Sequence, residues 1–371
     1  MTQGSQAPRG GPLSGLRVVE FAGLGPGPFA CMLMADMGAE VVTLQRPGTP
    51  VGDPRNIVQR GRTVLTADLK SNEDRERVLQ LLERADVLVE GFRPGVMERL
   101  GLGPDAVAAR NPRLVYGRMT GWGQTGPLAQ AAGHDIDYIA LAGALHAIGP
   151  RERPLPPLNL LGDYGGGSLY LVVGILAALH EAKQSGRGQV VDAAITDGTL
   201  SLMTHVASLS LRGRWSERRE DNMLDGGAPY YAVYETADGR HMALGAIEPQ
   251  FFALLCELIG VPQHLRDAQE DRVRWPALRE GIAAIFRTRT RDEWAQLLEG
   301  TDACCAPVLT LAEAAAHPHH AARGAFIEVD GVPQPAPAPR FSRTPSHAKG
   351  PARVPGSWSD VVEAWGALRE A

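Results

Sequence analysis

Apolar segments typical of strands alternate with segments typical of helices through roughly the first half of the 371-residue chain. The strand-like runs are short and nearly continuous in apolar residues, as in strands that are buried on both faces. Strands joined through helices run parallel, because each helix returns the chain to the edge where the previous strand began. We therefore predict an α/β fold with a parallel sheet that helices cover on both sides. The predicted strands are residues 17–22, 41–45, 63–69, 86–92, 114–119 and 189–195.

The second half of the chain has a different organisation. A charged segment that is poor in aliphatic residues and ends in a Gly pair is typical of a linker or an inter-domain strap. Aromatic and β-branched runs around Asp238-Gly239 then predict a β-hairpin, and Thr290 and Glu293 have the spacing of a helix capping box. A later proline-rich stretch, 333–345, cannot continue a helix or a central strand. The predicted parts are a large domain at 1–205, a linker at 206–227, a small α+β domain at 228–330 and a segment at 331–371 that returns to the large domain.

Composition excludes several classes of protein. A content of 44% hydrophobic and 21% charged residues is that of a soluble globular protein, and a net charge of −5 argues against a nucleic-acid partner. The four cysteines lack metal-ligand spacing, so we expect reduced structural thiols and no metal site. There is no signal-peptide pattern, no uninterrupted apolar run of membrane length and no peroxisomal S-K-L ending. We therefore expect a cytoplasmic protein with no membrane segment.

One stretch concentrates the residues capable of chemistry. His134 and Asp135 lie together, and Asp163 shortly precedes the glycines Gly165, Gly166 and Gly167. These glycines stand directly before an apolar run of helical character, which predicts a helix start at this point. The start of a helix has partial positive charge and unpaired N–H donors. Such a start is able to hold an anion, or an oxygen that becomes anionic during a reaction.

Positively charged residues follow several of the predicted strands. Ligands of open α/β sheets collect beyond the carboxyl ends of the strands, and Arg is suited to bidentate phosphate contacts. Taken singly, each of these residues is more simply explained as a surface charge, but together they indicate a ligand that bears phosphate. The glycines 23, 25 and 27 do not fit G-x-G-x-x-G, so a dinucleotide site is only weakly supported. The four residues are Arg46, Lys70, Arg93 and Arg99.

Several segments, in the same order from about Gly11 to PAPRFSRT, resemble the α-methylacyl-CoA racemases of the family III CoA-transferase superfamily. The resemblance is specific because GHDIDY, LLGDYGGG and GAIEPQF occur together in one chain. The segments that resemble this family are GPLSGLRVVEFAGLGPGPFA, TADLKS, GFRPGVMERLGLGP, GRMTGWGQTGP, AGHDIDYIALAGAL, PPLNLLGDYGGGS, NMLDGGAPYY, AIEPQFF and TDACCAPVLT.

The resemblance implies a fold, a substrate and a set of site residues. It implies an interlocked homodimer, in which each subunit has a large Rossmann-like domain that binds CoA and a small domain, with the active site between the large domain of one subunit and the small domain of the other. His134 and Asp163 match the acid/base pair, Asp135 an adjacent carboxylate, and Glu248 a glutamate that the partner subunit offers to the histidine. The implied substrate is a 2-methylacyl-CoA thioester, with no separate cofactor. The positions implied for the CoA nucleotide are Arg46, Lys70, Arg93 and Arg99.

Elementary chemistry is compatible with these roles. A 1,1-proton transfer needs one group on each side of the α-carbon, and His and Asp suffice without a metal. Their unperturbed pKa values, about 6.5 and 3.9, lie far below that of the α-proton, so an enolate intermediate must be stabilised by preorganised donors. The predicted helix start at Gly165, Gly166 and Gly167 is able to supply such donors. Glu248 would orient His134 and favour its charged form.

Simpler structural explanations exist for each residue, and two other functions are open. His134 is also explained as a core histidine, Asp163 as a helix N-cap, Asp135 or Asp137 as a cap of the following helix, and Glu248 as a turn residue. A CoA-transferase would use Asp163 as the nucleophile that attacks the thioester. A non-catalytic acyl-CoA carrier or sensor would keep the cations but need no acid/base pair. The sequence does not distinguish a branched fatty acid, a bile-acid side chain and an arylpropionyl group as the acyl part.

Overall fold

The computed structural model describes residues 10–367 and divides into two compact units. The first unit contains the residues up to Ala144, Pro157–Met203 and the residues from His319 onward, and the second contains Leu145–Pro156 and Thr204–Pro318. The segment 206–227, predicted as a linker, thus lies within the second unit. The terminal residues used in the targeting predictions, 1–9 and 368–371, lie outside the described part of the chain.

The first unit contains the predicted parallel sheet. Its six strands are all parallel and lie in the order β3-β2-β1-β4-β5-β6. The direction of the strand order reverses between β1 and β4, and ligands of such sheets bind at this reversal, outside the carboxyl ends of the strands. This confirms the predicted α/β class. The strands are β1 Arg17–Phe21, β2 Glu40–Gln45, β3 Arg62–Thr66, β4 Val87–Glu90, β5 Val115–Thr120 and β6 Val190–Ala194.

Successive residues of β1, β2, β4 and β5 enter two separate cores, one on each face of the sheet. Val18 packs with the helices of one face, and its neighbour Val19 packs with those of the other. The runs of the sequence are nearly continuous in apolar residues because both faces of the central strands are covered. The first face holds α1 Pro26–Asp36 and α6 Tyr170–Ser185, and the second holds α2 Asn72–Leu82, α3 Val96–Arg99, α4 Pro104–Arg110 and α15 Trp358–Ala367. The other helices of this region are α5 Asp135–Leu141, α7 Ile195–Leu202 and a 3₁₀ turn at Ile57–Gln59.

A ten-residue π-helix, Leu160–Leu169, continues directly into α6. Together they form a helix of 26 residues that is long and apolar enough to cross a membrane, although the sequence showed no uninterrupted apolar run of that length. Its buried residues Leu171 and Ile175 pack in the core beside Gly117 of β5. A core helix of an α/β unit therefore explains the same length and composition.

The last described residues pair with the edge of the large sheet. The backbone N–H of Val64 donates to Arg353 at 2.8 Å, and Arg353 N–H donates to Arg62 at 3.1 Å. Trp365 donates from its indole N–H to the Glu40 carboxylate at 2.9 Å. Edge strand β3 is covered in this way. Before this segment the chain forms a two-stranded antiparallel hairpin of β10 Phe326–Val329 and β11 Val332–Pro335.

The second unit is a small α+β structure. The hairpin around Asp238-Gly239 is confirmed as antiparallel strands β7 Tyr231–Glu235 and β8 His241–Gly245, and the Thr290–Glu293 capping box is also present. A third strand, β9 Cys305–Pro307, was not predicted because it has only three residues and includes a proline. All four cysteines are free. The helices are α8 Thr204–Leu211, α9 Pro249–Ile259, α10 Gln263–Arg266, α11 Trp275–Phe286, α12 Arg291–Leu298, α13 Leu311–Ala316 and α14 Pro318–Ala322, which crosses the boundary between the units, with a 3₁₀ turn at Leu145–Ala147.

The close approach of α7 to the π-helix gives a first testable prediction. A Cβ atom on Gly198 would overlap the Gly166 carbonyl oxygen, and backbone cannot move away cheaply. We expect Gly198→Ala to lower the free energy of unfolding by about 1–3 kcal/mol, measured by urea denaturation. Gly27→Ala is the matched control, because its Cβ meets no atom within 4 Å. The control should be neutral or gain up to ~1 kcal/mol; equal stability of the two variants would contradict the packing argument.

Candidate active site

His134 stands at the N-terminus of α5, in the connection that follows β5. The Asp137 carboxylate accepts a hydrogen bond from the His134 backbone N–H at 2.9 Å, which satisfies a donor next to the helix start. The capping task thus falls to Asp137, one of the two aspartates that the sequence offered for it. The His134 side chain is exposed. An exposed imidazole at the carboxyl edge of the sheet is available to a ligand, which argues against a core histidine.

Asp135 connects α5 to the π-helix. Its side chain is 9% exposed, and its Oδ2 accepts the backbone N–H of Asp163 at 2.6 Å. The N–H of Gly162 donates to the same carboxylate. Burial raises the pKa of Asp135, and the two backbone donors oppose the shift. The Oδ1 atom is buried and has no hydrogen-bond partner among residues 10–367.

Asp163 lies in the first turn of the π-helix and is half-buried. Its carboxylate faces the loop after β1, where a Cβ atom on Gly25 would lie 3.1 Å from Oδ2. Gly25 has φ 71°, which is a second reason for glycine at this position. Burial raises the pKa of Asp163, and the negative charge of Asp135 raises it further, whereas a hydrogen bond from Asn159 and the charge of His134 lower it. The net effect is a raised pKa, so the Asp163 carboxyl group keeps its proton at a higher pH than an ordinary aspartate does.

Aromatic side chains contact the backbone next to His134 and Asp163. Tyr164, the residue after Asp163, stacks on Phe29 of α1 with ring centroids 4.1 Å apart. Tyr138 of α5 donates its hydroxyl to the Gly133 carbonyl at 2.5 Å, immediately before His134. These contacts fix the backbone on either side of the site.

The predicted helix start at Gly165, Gly166 and Gly167 is wrong. The helix begins earlier, at Leu160, because the carboxylate of Asp135 pairs with the N–H groups of its first turn. Gly166 and Gly167 are buried instead, and a Cβ on Gly166 would lie 2.7 Å from the Thr199 hydroxyl of α7. The glycines thus permit close helix packing. Their enolate-stabilising role stays a prediction, and the positive end of the helix still lies beside Asp163.

The four cationic residues lie beyond the carboxyl ends of three strands. Arg46 directly follows β2, Lys70 follows β3, and Arg93 and Arg99 follow β4. All four side chains are exposed, and within the described residues none forms a salt bridge with a carboxylate. Since β1 lies between β2 and β4, the cations flank the strand whose loop contacts Asp163. This placement is compatible with a phosphate-bearing ligand.

Glu248 belongs to the second unit, whereas His134, Asp135 and Asp163 belong to the first. It occupies the N-cap position of α9, is exposed, and makes no side-chain capping bond. The carboxylate is therefore not used as a local cap.

Three features of the site escaped prediction from the sequence. They are the π-helix, the hydrogen bond from Asn159, and the contact of Gly25 with Asp163. The GLGPGP segment offered a signal for the last of these, because glycines in a loop after a strand permit close approach. Asn159 had no distinguishing pattern.

A family model described as CoA-transferase family III matches residues 13–356. The chain belongs to this family. Among its relatives, a protein of Mus musculus named alpha-methylacyl-CoA racemase is 48% identical over 90% of this chain and 87% of the relative. The Homo sapiens protein of the same name is 44% identical over 90% of each. A crystal structure titled as a hypothetical protein from Mycobacterium tuberculosis is similar with a TM-score of 0.79 and 28% identity, over 96% of this chain and all of the other.

The raised pKa of Asp163 predicts a cost in stability at neutral pH. Above the unfolded-state value of 3.8 the unfolded chain loses this proton before the folded chain does, so stability falls as pH rises through that range. We expect Asp163→Asn to be more stable than the unchanged protein at pH 7, by roughly 1 kcal/mol or less for a half-exposed group. The gain should shrink as pH falls towards 3.8. Urea unfolding at pH 7 and pH 4.5, with the exposed Asp105→Asn as control, measures it; a gain that grows at the lower pH would contradict this assignment.

Proposed function

We propose that the protein interconverts (2R)- and (2S)-2-methylacyl-CoA thioesters by 1,1-proton transfer through an enolate. The observation that supports this most strongly is the cluster of His134, Asp135 and Asp163 at the carboxyl edge of the sheet, in a chain whose relatives at 44–48% identity are named alpha-methylacyl-CoA racemase. A carrier or sensor of acyl-CoA would have no use for such a cluster. The cluster therefore favours an enzyme, and the named relatives favour an isomerisation.

The proton transfers balance with two groups. In one direction neutral His134 removes the α-proton, the C–H electron pair moves towards the thioester oxygen, and Asp163 delivers its proton to the opposite face of the α-carbon. In the reverse direction Asp163 is the base and His134 is the acid. Exchange with solvent restores the starting protonation states.

The environment of Asp163 suits both directions. A carboxyl group whose pKa is raised by burial holds its proton at a higher pH than an ordinary aspartate, so it is available as an acid. When ionised, the same group is a stronger base. The negative charge of Asp135 raises the pKa of Asp163, and the Asp135 carboxylate accepts a hydrogen bond from the Asp163 backbone N–H.

A CoA-transferase reaction is the second candidate, and membership of CoA-transferase family III favours it. In that reaction the Asp163 carboxylate attacks the thioester carbonyl, the C–S bond breaks, and CoA leaves as a thiolate while an acyl anhydride remains on the protein. An acceptor acid is then required for turnover. The racemase requires none.

Exchange of the α-proton in D₂O tests the two candidates directly. Unchanged protein should exchange the α-proton of a 2-methylacyl-CoA without any acceptor acid. His134→Ala and Asp163→Asn should each lower racemisation by about 10²–10⁴. Each variant should also retain slow exchange with one enantiomer only, because one group serves each face.

Hydroxylamine provides the counter-test. An anhydride on Asp163 would be trapped as a hydroxamate with a mass shift on its peptide. Trapping during turnover, without α-exchange, would establish the transferase instead. Calorimetric binding of the acyl-CoA by both variants excludes misfolding as the cause of lost activity.

We further propose that the active form is a homodimer in which the partner subunit's Glu248 approaches His134. Two observations support this. The Glu248 carboxylate is exposed and makes no capping hydrogen bond. Helices of the first unit expose large apolar side chains, which a partner subunit would shield from water. Those side chains are Leu160 at 58%, Leu169 at 49%, Val173 at 65% and Leu200 at 54%.

Complementation between inactive chains tests the composite site. His134→Ala and Glu248→Ala chains, each expected to have strongly reduced racemisation alone, form one intact site per mixed dimer after co-refolding. Random mixing gives mixed dimers in half of the population, so roughly a quarter of full activity should return. A mixture that stays inactive although mixed dimers form, as shown by native mass spectrometry, would refute the shared site.

A further inference from the structure

The segment from Gly91 to Arg99 is fixed by a single buried arginine of the neighbouring strand. Arg118 lies in β5 and is 6% exposed. Its Nε donates to Glu90 Oε1 at 2.9 Å, and its two terminal nitrogens donate to Glu98, Nη1 to Oε1 at 2.8 Å and Nη2 to Oε2 at 3.3 Å. One guanidinium therefore holds the residue before this segment and a residue of α3 near its end.

Additional contacts fix the segment between these two points. The free oxygen of Glu90 accepts the backbone N–H of Phe92 at 2.7 Å. The carbonyl oxygen of Pro94 accepts a hydrogen bond from Gln130 at 3.0 Å. Every hydrogen bond of the Arg118 guanidinium is thus directed at carboxylates that shape this connection.

The same segment presents two of the exposed cations. Arg93 lies between the two glutamates in sequence, and Arg99 directly follows Glu98. Neither has a carboxylate partner within residues 10–367. The structure therefore separates the roles of three arginines: Arg118 is buried and paired, while Arg93 and Arg99 are exposed and unpaired.

Stability alone does not explain a buried arginine with two glutamates. Removing these charges from water costs several kcal/mol per ion in general, and apolar residues of the same size are often as stable. What the planar guanidinium adds is geometry, since its donors fix two carboxylates in defined directions. This points to a requirement for one particular conformation of the segment.

We propose that Arg118 is a positioning residue that fixes the β4–α3 connection so that Arg93 and Arg99 face the phosphates of the CoA nucleotide. This inference rests on the proposed function for the identity of the ligand. Arg118 itself does not touch the ligand. Its effect is on nucleotide binding and not on proton transfer at the α-carbon.

Binding of CoA and of pantetheine, measured by calorimetry, tests the role of Arg118. Pantetheine lacks the nucleotide and its phosphates, so it does not depend on Arg93 or Arg99. Arg118→Lys keeps the positive charge but loses the planar guanidinium that donates to both glutamates. We expect CoA affinity to fall at least about tenfold and pantetheine affinity to change less than about twofold. Glu98→Gln removes one charged partner of Arg118 at a side chain that is 44% exposed, so it leaves no buried cavity. It should lower CoA affinity by about threefold.

Arg60→Lys is the matched control. Arg60 is 5% exposed and pairs with Asp36 through two nitrogens, but its other contacts are with Gln334 and Pro335. The Arg60→Lys variant should lower the melting temperature, as we expect for Arg118→Lys, but it should leave the ratio of CoA affinity to pantetheine affinity unchanged. In kinetics, Arg118→Lys should raise KM for the acyl-CoA with kcat for α-exchange within about twofold.

Two results would overturn the inference. One is an equal loss of CoA and pantetheine affinity in Arg118→Lys, and the other is a fall in kcat with KM unchanged. If that variant does not fold, Glu98→Gln decides by the same ratio. Because binding of CoA needs no turnover, unchanged protein that binds CoA without α-exchange would refute the racemase and leave this inference intact.

Discussion

The hydrogen bond from the Asp163 backbone to the Asp135 carboxylate determines the geometry of the site. It joins two helix starts that are 28 residues apart in sequence, one next to His134 and the other bearing Asp163. A carboxylate at a helix start is stabilised by the free N–H groups and by the helix dipole. Asp135 is buried, and its negative charge contributes to the raised pKa of Asp163.

The charged groups of the first unit fall into two sets with different surroundings. His134, Asp135 and Asp163 all lie in the long connection between β5 and β6, where burial raises the pKa values of the two aspartates. The exposed cations Arg46, Lys70, Arg93 and Arg99 follow β2, β3 and β4. A parallel sheet allows this division because all of its connections on one edge are independent in length and composition. The exposed cations and the acid/base candidates thus follow different strands of the sheet.

The fold could be predicted further than the site. The strands β1 to β6 were located to within a few residues, because strands of a covered parallel sheet are short apolar runs, and most of these strands are buried on both faces. His134, Asp135 and Asp163 were recognised as a concentration of residues capable of chemistry, but their roles and that of Glu248 came from the resemblance to a family. The π-helix was missed because its cause is distant in sequence: the Asp135 carboxylate satisfies the helix start, and the glycines that suggested a start accommodate α7. Local pattern contains neither contact.

The pairing of Arg353 with edge strand β3 has a consequence for synthesis of the protein. About 290 residues separate Thr66 from Arg353, which at ordinary elongation rates corresponds to roughly 15–60 s between the emergence of the strand and of its partner. During that interval the ribosome presents a nascent sheet with an unpaired edge, a surface to which other strands readily add. The second unit, by contrast, ends at Pro318, so its synthesis is complete before that of the first unit. The outer edge of β3 therefore stays without this partner until synthesis reaches Arg353, after the whole second unit has been made.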